Sequence, residues 1–183
     1  ISGGGPIIIQ ILSAIQELEK NNYLNLVNIE TIYGTSAGAI LAVMFSLNFN
    51  WSTLNDYIIK RPWQDVFSIK VQTILDSYTK KGIFDNKTVE KCFKPLFDAK
   101  DIPLDITLED FYKLTNKELH IFAFEINDYK MVDLSNKTHP NLKLLSAIQM
   151  SCALPVLMAP VFLDDMCFMD GGVACNYPLN FCI

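Results

Sequence analysis

Histidine is nearly missing from this chain: its 183 residues include only His120 and His139. Neither belongs to an HxxxH pair. The five cysteines (Cys92, Cys152, Cys167, Cys175 and Cys182) show no CxxC or other zinc spacing. An odd count without such spacing argues against a disulfide framework and a structural metal, and for a reducing compartment. Basic charge is scarce as well. There are 15 Lys+Arg against 20 Asp+Glu, a formal net charge of −5, and no basic run. Phosphate contacts supply most nucleic-acid affinity, so nucleic acid is not an expected partner. Without a polybasic patch, any membrane contact is expected to be hydrophobic. GxGxxG and GxxxxGK[ST] are both absent, which removes the support for nucleotide binding.

What the chain does have is apolar bulk. Half of its residues are hydrophobic and 19% are charged, enough to build a core and to exclude disorder. The length suits a single domain. The uncharged run from Leu144 to Leu163 is long enough to span a bilayer. It is interrupted by Ser146, Gln149, Ser151, Pro155 and Pro160, and reads as buried core.

Helical and extended patterns alternate. Ile1-Ser2 reads as the tail of a strand entering Gly3-Gly4-Gly5, and Pro6 suits the first turn of a helix. Ile8, Ile11, Leu12, Ile15 and Leu18 carry that helix to about Asn21. Residues 29–33 read as a strand, and Ala39 to Leu47 as a helix apolar all round, hence buried. Helices are expected over Trp51–Lys60, over Asp85–Phe97 with Asp85 as cap, and over Leu108–Leu114 with Thr107 as cap. Two strands follow, Glu118–Ile126 and Lys130–Leu134, then a helix over Pro140–Met150 and short strands at Val161-Phe162 and Cys167–Met169. The alternation predicts an α/β domain. Trp51, Tyr57, Trp63, Phe67 and Tyr78 read as packing residues, with a lid or acyl-chain groove touching a membrane as the functional alternative.

The chemistry concentrates in three places. Gly34-Thr35-Ser36-Ala37-Gly38 is a GxSxG between a strand and a helix, the context in which that motif marks a nucleophile elbow. Side chains at Gly34 or Gly38 would clash with neighbouring backbone. Ser36 would sit near the positive end of the following helix, which favours the negative charge of an acyl-transfer transition state. A serine nucleophile needs a base. No histidine follows Asp170, and His120 and His139 lie in the middle of the chain, so a conventional triad is disfavoured. Asp170 in Met169-Asp170-Gly171-Gly172 can approach a neighbouring loop and accept the serine proton directly. The third element, Gly3-Gly4-Gly5 before a helix, can aim backbone N–H groups into one cavity. With the N–H of Ala37 it forms an expected oxyanion hole.

In this order, the three elements resemble the patatin-like phospholipases. Two further segments carry the resemblance: residues 146–155, with Ser151-x-x-x-Pro155, and Asp170-Gly171-Gly172 with the later Asn176 and Pro178. The resemblance implies a three-layer α/β/α fold with a central, mostly parallel sheet. It implies hydrolysis of lipid acyl esters without an obligatory metal or cofactor, with Ser36 as nucleophile, Asp170 as general base and Gly3, Gly4 and Gly5 as the oxyanion loop. The family's loop usually continues with one residue, then Lys or Arg, then Gly. Here Pro6, Ile7 and Ile8 follow, so a neutral acyl ester stands beside phospholipid as expected substrate. The expected location is cytoplasmic or peripheral at an intracellular membrane. Residues 1–183 read as one domain trimmed at both ends from a longer protein. Two other readings stand beside the hydrolase: a catalytically silent lipid-binding relative, and an esterase or acyltransferase whose histidine lies outside this segment.

Overall fold

The structure is a computed structural model describing residues 1–182. Its helices are α1 (Ile8–Lys20), α2 (Ala37–Ser46), α3 (Trp51–Lys60), α4 (Trp63–Val66), α5 (Val71–Lys80), α6 (Asn86–Asp98), α7 (Leu108–Thr115) and α8 (Leu144–Ser151). Its strands are β1 (Thr31–Thr35), β2 (Gly82–Phe84), β3 (Glu118–Glu125), β4 (Lys130–Ser135), β5 (Val156–Met158), β6 (Val161–Leu163) and β7 (Met166–Asp170).

Several boundaries follow from caps. Asn50 accepts from the Thr53 amide at the start of α3, Asp85 from Lys87 at α6, and Thr107 from Asp110 at α7. Each supplies an oxygen to an otherwise orphaned amide of the first turn. Pro6 sits in a 3-10 turn, Gly5–Ile7, that leads directly into α1. Leu12 of α1 enters the core, with Ile8, Ile11 and Ile15 packed beside it.

The main sheet runs β1-β3-β7-β6, with β4 on β3 as well. β1 and β3 are parallel, Tyr33 opposite His120. The other three pairs, β3/β4, β3/β7 and β6/β7, are antiparallel. The α/β class is as expected, but the pairing within the described residues is more mixed than a mostly parallel sheet. Two of these pairs have a local reason: β3/β4 and β6/β7 are joined by short turns, and a short turn can only return a strand antiparallel. A separate parallel pair, β2/β5, lies off this sheet.

β3 is the axis of the domain. Leu119, Ile121 and Ala123 point into the main core, alongside Phe93 and Phe97 of α6, Phe111 of α7 and Ile148 of α8. Alternation turns His120 and Phe122 to the opposite face. There Tyr33 stacks on His120 at 4.5 Å between centroids and Phe181 lies 4.9 Å from Phe122. Burial on both faces is what a sheet covered on both sides requires.

α2 accounts for its unbroken apolar sequence. It contacts β1, β3, α1 and α8, and every residue except Ile40 is buried. The Leu144–Leu163 run behaves differently in its two halves. α8 is buried apart from the half-buried Ser146, whereas Leu154, Val156, Leu157 and Phe162 beyond it are exposed. Prolines 155 and 160 force that second half out of the helix. Among the described residues no helix is long and apolar enough to cross a membrane. Trp51 and Trp63 are packing residues: Trp51 Nε1 donates to Glu19 and its ring abuts Phe45, while Trp63 Nε1 donates to the Ile58 carbonyl. Tyr78, by contrast, is 93% exposed.

Candidate active site

Ser36 stands where β1 ends and α2 begins, with φ 54° and ψ −122°. A left-handed φ on a serine is a strained conformation, and the surroundings hold it there. Its amide donates to Ser151 Oγ at 2.8 Å, and Ser151 Oγ–H in turn donates to the Phe122 carbonyl at 2.6 Å. One fully buried hydroxyl at the end of α8 therefore ties the elbow to the central strand. The tight approach also explains both flanking glycines. A Cβ on Gly34 would lie 2.7 Å from the Gly38 carbonyl oxygen, and one on Gly38 would lie 2.4 Å from that of Ile1.

Strand β7 delivers Asp170 to the same point. Ser36 Oγ–H donates to Asp170 Oδ2 at 2.7 Å, across 134 residues of sequence. The other carboxylate oxygen, Oδ1, accepts from the Gly172 amide at 2.7 Å, and the Asp170 amide donates to the Ala153 carbonyl at 3.1 Å. The carboxylate is thus fixed at both oxygens. Burial pushes its pKa above the usual 3.8, and the hydrogen bonds from Ser36 and Gly172 oppose that shift.

The glycine loop closes the third side. A Cβ on Gly3 would lie 3.1 Å from Ser36 Cβ, so the loop runs against the serine. The Gly3 amide donates to the Asn176 carbonyl at 2.9 Å, and Asn176 Nδ2 donates to the Gly3 carbonyl at 3.2 Å. Gly3 is therefore occupied as a structural anchor and its N–H is not free for an oxyanion, which corrects the expectation for that residue. The amides of Gly4, Gly5 and Ala37 carry no hydrogen bond among the described residues. Beyond Gly5, Ile7 is exposed and close to Gly4, leaving an apolar side chain at the rim.

The histidines lie elsewhere. His120 is buried between Glu118 and Asp133, 2.7 Å from each, and His139 contacts Thr138. For His120, burial lowers the pKa but the hydrogen bonds and charges of Asp133 and Glu118 outweigh it and raise it. Neither ring bonds to Ser36 or Asp170. Cys152 follows Ser151 beside the serine, and burial pushes its thiol far up, away from thiolate chemistry. Among the described residues no group of three or more His, Cys, Asp or Glu side chains could hold a metal ion. A groove of about 220 Å³ opens at the β1 edge, lined by Ile1, Ile32, Tyr33 and Phe45, and includes neither Ser36 nor Asp170.

Ser151 and Asn176 fall in the two segments that carried the family resemblance, but sequence reading gave them no contacts. Their partners are 115 and 173 residues away, so only the fold reveals them. Replacing Ser151 by alanine leaves the Ser36 amide and the Phe122 carbonyl without this partner in a buried setting. Urea unfolding is expected to show a loss of about 1–3 kcal/mol.

The fold matches that of VipD from Legionella pneumophila, with a TM-score of 0.65 at 19% identity, over 97% of this chain and 46% of that one. At that identity the likeness shows a shared α/β fold. The patatin-like phospholipase family model matches residues 1–183, and the chain belongs to that family. It is 24% identical over 185 aligned residues to a protein named probable lipid hydrolase 463L, from Invertebrate iridescent virus 6, covering 100% of this chain and 62% of the relative. It is 27% identical to the uncharacterized protein R571 of Acanthamoeba polyphaga mimivirus, covering 98% of this chain and 59% of the relative. The chain therefore spans about 60% of the length of these relatives.

Proposed function

We propose that this domain is a serine lipid acyl hydrolase working through a Ser36–Asp170 dyad. The observation that carries the reading is the 2.7 Å hydrogen bond from Ser36 Oγ to a buried, doubly held Asp170 carboxylate. Family membership and the lipid hydrolase name of one relative agree with it.

The geometry supports the following steps. Ser36 Oγ attacks the ester carbonyl carbon as its proton passes to Asp170 Oδ2. The carbonyl oxygen becomes an oxyanion facing the amides of Gly4, Gly5 and Ala37, beside the N-terminus of α2. Donors placed where charge develops are worth about 3–4 kcal/mol each in comparable sites. The tetrahedral adduct collapses, the C–O bond to the alcohol breaks, and that oxygen takes the proton from Asp170. Water then attacks the acyl-serine, gives a proton to Asp170, and the fatty acid leaves as Ser36 recovers its own.

Ile7 at the rim of the glycine loop offers no cation to a lipid phosphate, so the substrate preference proposed is for neutral acyl esters over phospholipids. Five free cysteines suit a reducing compartment, in the cytoplasm or at an intracellular membrane. The test is labelling with an active-site-directed fluorophosphonate. The wild type is expected to label, and Ser36→Ala to lose both label and ester turnover. A folded wild type that resists the probe would leave lipid binding without chemistry as the function to pursue.

A further inference from the structure

α5 is folded inside out. Its apolar residues Val71, Ile74, Leu75 and Tyr78 follow helical spacing and form one stripe, yet they are 76%, 56%, 64% and 93% exposed. The half-buried positions are polar instead: Thr73, Asp76 and Ser77. A soluble surface helix normally turns its apolar stripe inward, and contiguous exposed apolar surface marks an interaction site. The stripe extends onto neighbouring elements. α5 contacts β2, β2 pairs with β5, and Val156 and Leu157 of β5 are exposed. Lys81 Nζ lies 5.7 Å from the ring centre of the exposed Phe162, joining β6 to the end of α5.

Charge selects the occupant. Lys70 stands at the N-terminal end of the stripe and Lys80 and Lys81 at its C-terminal end, Lys80 paired with Asp85 at 3.4 Å; no acidic side chain is among the exposed residues of α5, and the exposed Asp164 and Asp165 lie in the turn beyond Phe162. Asp76 is half-buried and accepts from Gln72. Lysines at the ends, apolar residues between them and a Tyr whose hydroxyl can stay wet are the features of a helix lying in a lipid–water interface, with lysine stems reaching toward phosphates. A protein partner would have to bury Lys70 and Lys81 or pair them.

We propose that the exposed face of α5, continued by β5 and Phe162, docks the domain on an anionic lipid surface. The polypeptide leads from β5 back through Leu154 to Ala153, whose carbonyl holds the Asp170 amide. Docking on this face would therefore bring the candidate site to its lipid. In that use the inference rests on the acyl hydrolase reading, but the docking itself does not.

The experiment is co-sedimentation of the Ser36→Ala protein with phosphatidylcholine vesicles, with and without phosphatidylglycerol. It compares α5 intact with the triple variant Ile74→Gln, Leu75→Gln, Tyr78→Gln and with the pair Lys80→Gln, Lys81→Gln. The triple variant is expected to weaken binding to both vesicle types by at least about tenfold. The lysine pair is expected to weaken only the phosphatidylglycerol-dependent part. Both variants with Ser36 restored should label with fluorophosphonate at the wild-type rate, which also shows that they fold. Vesicle binding unchanged in the triple variant, or absent in the α5-intact protein, overturns the proposal. A dimer seen by light scattering and lost in the triple variant would assign the face to a second copy and overturn it too. Vesicle binding that follows these variants in a protein that never labels would retain the docking face and remove the hydrolase reading.

Discussion

Replacing Asp170 by asparagine is expected to slow ester hydrolysis by about 10³–10⁴-fold, the range for a lost general base. That is about 4–5 kcal/mol of transition-state stabilisation. Asparagine fills the same volume and can still accept from the Gly172 amide, so the fold should survive and a thermal melt should move little. What is lost is the acceptor for the Ser36 proton. The pH dependence gives a second reading of the same group. Asp170 must be ionised to act as base, and its pKa lies above 3.8 because it is buried. Activity should therefore be full at neutral pH and fall as pH drops through that raised value. A histidine base would place the acid limb near 6.5, the ordinary imidazole value. Measuring kcat/KM against pH in the wild type, beside Asp170→Asn at neutral pH, separates the dyad from a mechanism with a histidine supplied elsewhere.

The second large effect is expected on stability. In Gly34→Ala the new Cβ would meet the Gly38 carbonyl oxygen at 2.7 Å and the Ala39 amide nitrogen at 2.8 Å, both backbone atoms that cannot swing away. The first turn of α2 must then move off β1. A loss of about 3 kcal/mol is expected, the upper end for overpacking, with a fall of about 10 °C in Tm for a domain of this size. Because the same turn carries Ser36, fluorophosphonate labelling should fall with it. Gly38→Ala also clashes, with the Ile1 and Ser2 carbonyl oxygens. There the gain in helix propensity, about 1 kcal/mol for Gly to Ala, offsets part of the cost. The ordering of the two variants in a urea titration is therefore itself a prediction: Gly34→Ala should be the less stable. The opposite order would mean that α2 yields more easily than the Ile1-Ser2 segment does.

The molecule divides into what short-range rules govern and what they do not. Helix α3 and the caps at Asp85 and Thr107 were legible because the determinants, a cap oxygen and a helical apolar period, lie within a few residues of each other. The serine elbow was legible for the same reason. β1 is displaced by two residues from its expected span, Thr31–Thr35 in place of 29–33, because strand limits depend on pairing with β3 and not on local sequence. β2 and β5, three residues each, exist only as partners of one another. α5 carries an apolar period that could have marked it as a helix, but no such period tells which side faces solvent.

Adjacent residues with a local steric or chemical meaning were enough to read the α/β class, the placement of Ser36 on an elbow, Asp170 before two glycines, and the glycine run at the start. It took the folded chain to bring Ser36 and Asp170 together at 2.7 Å, to set Ser151 against the elbow, to place Asn176 on the Gly3 amide, and to turn the apolar face of α5 outward. These are contacts and exposures set by elements far apart in the chain. Forming them means closing long loops, an entropic cost offset by burial in one shared core, and no local pattern encodes that balance.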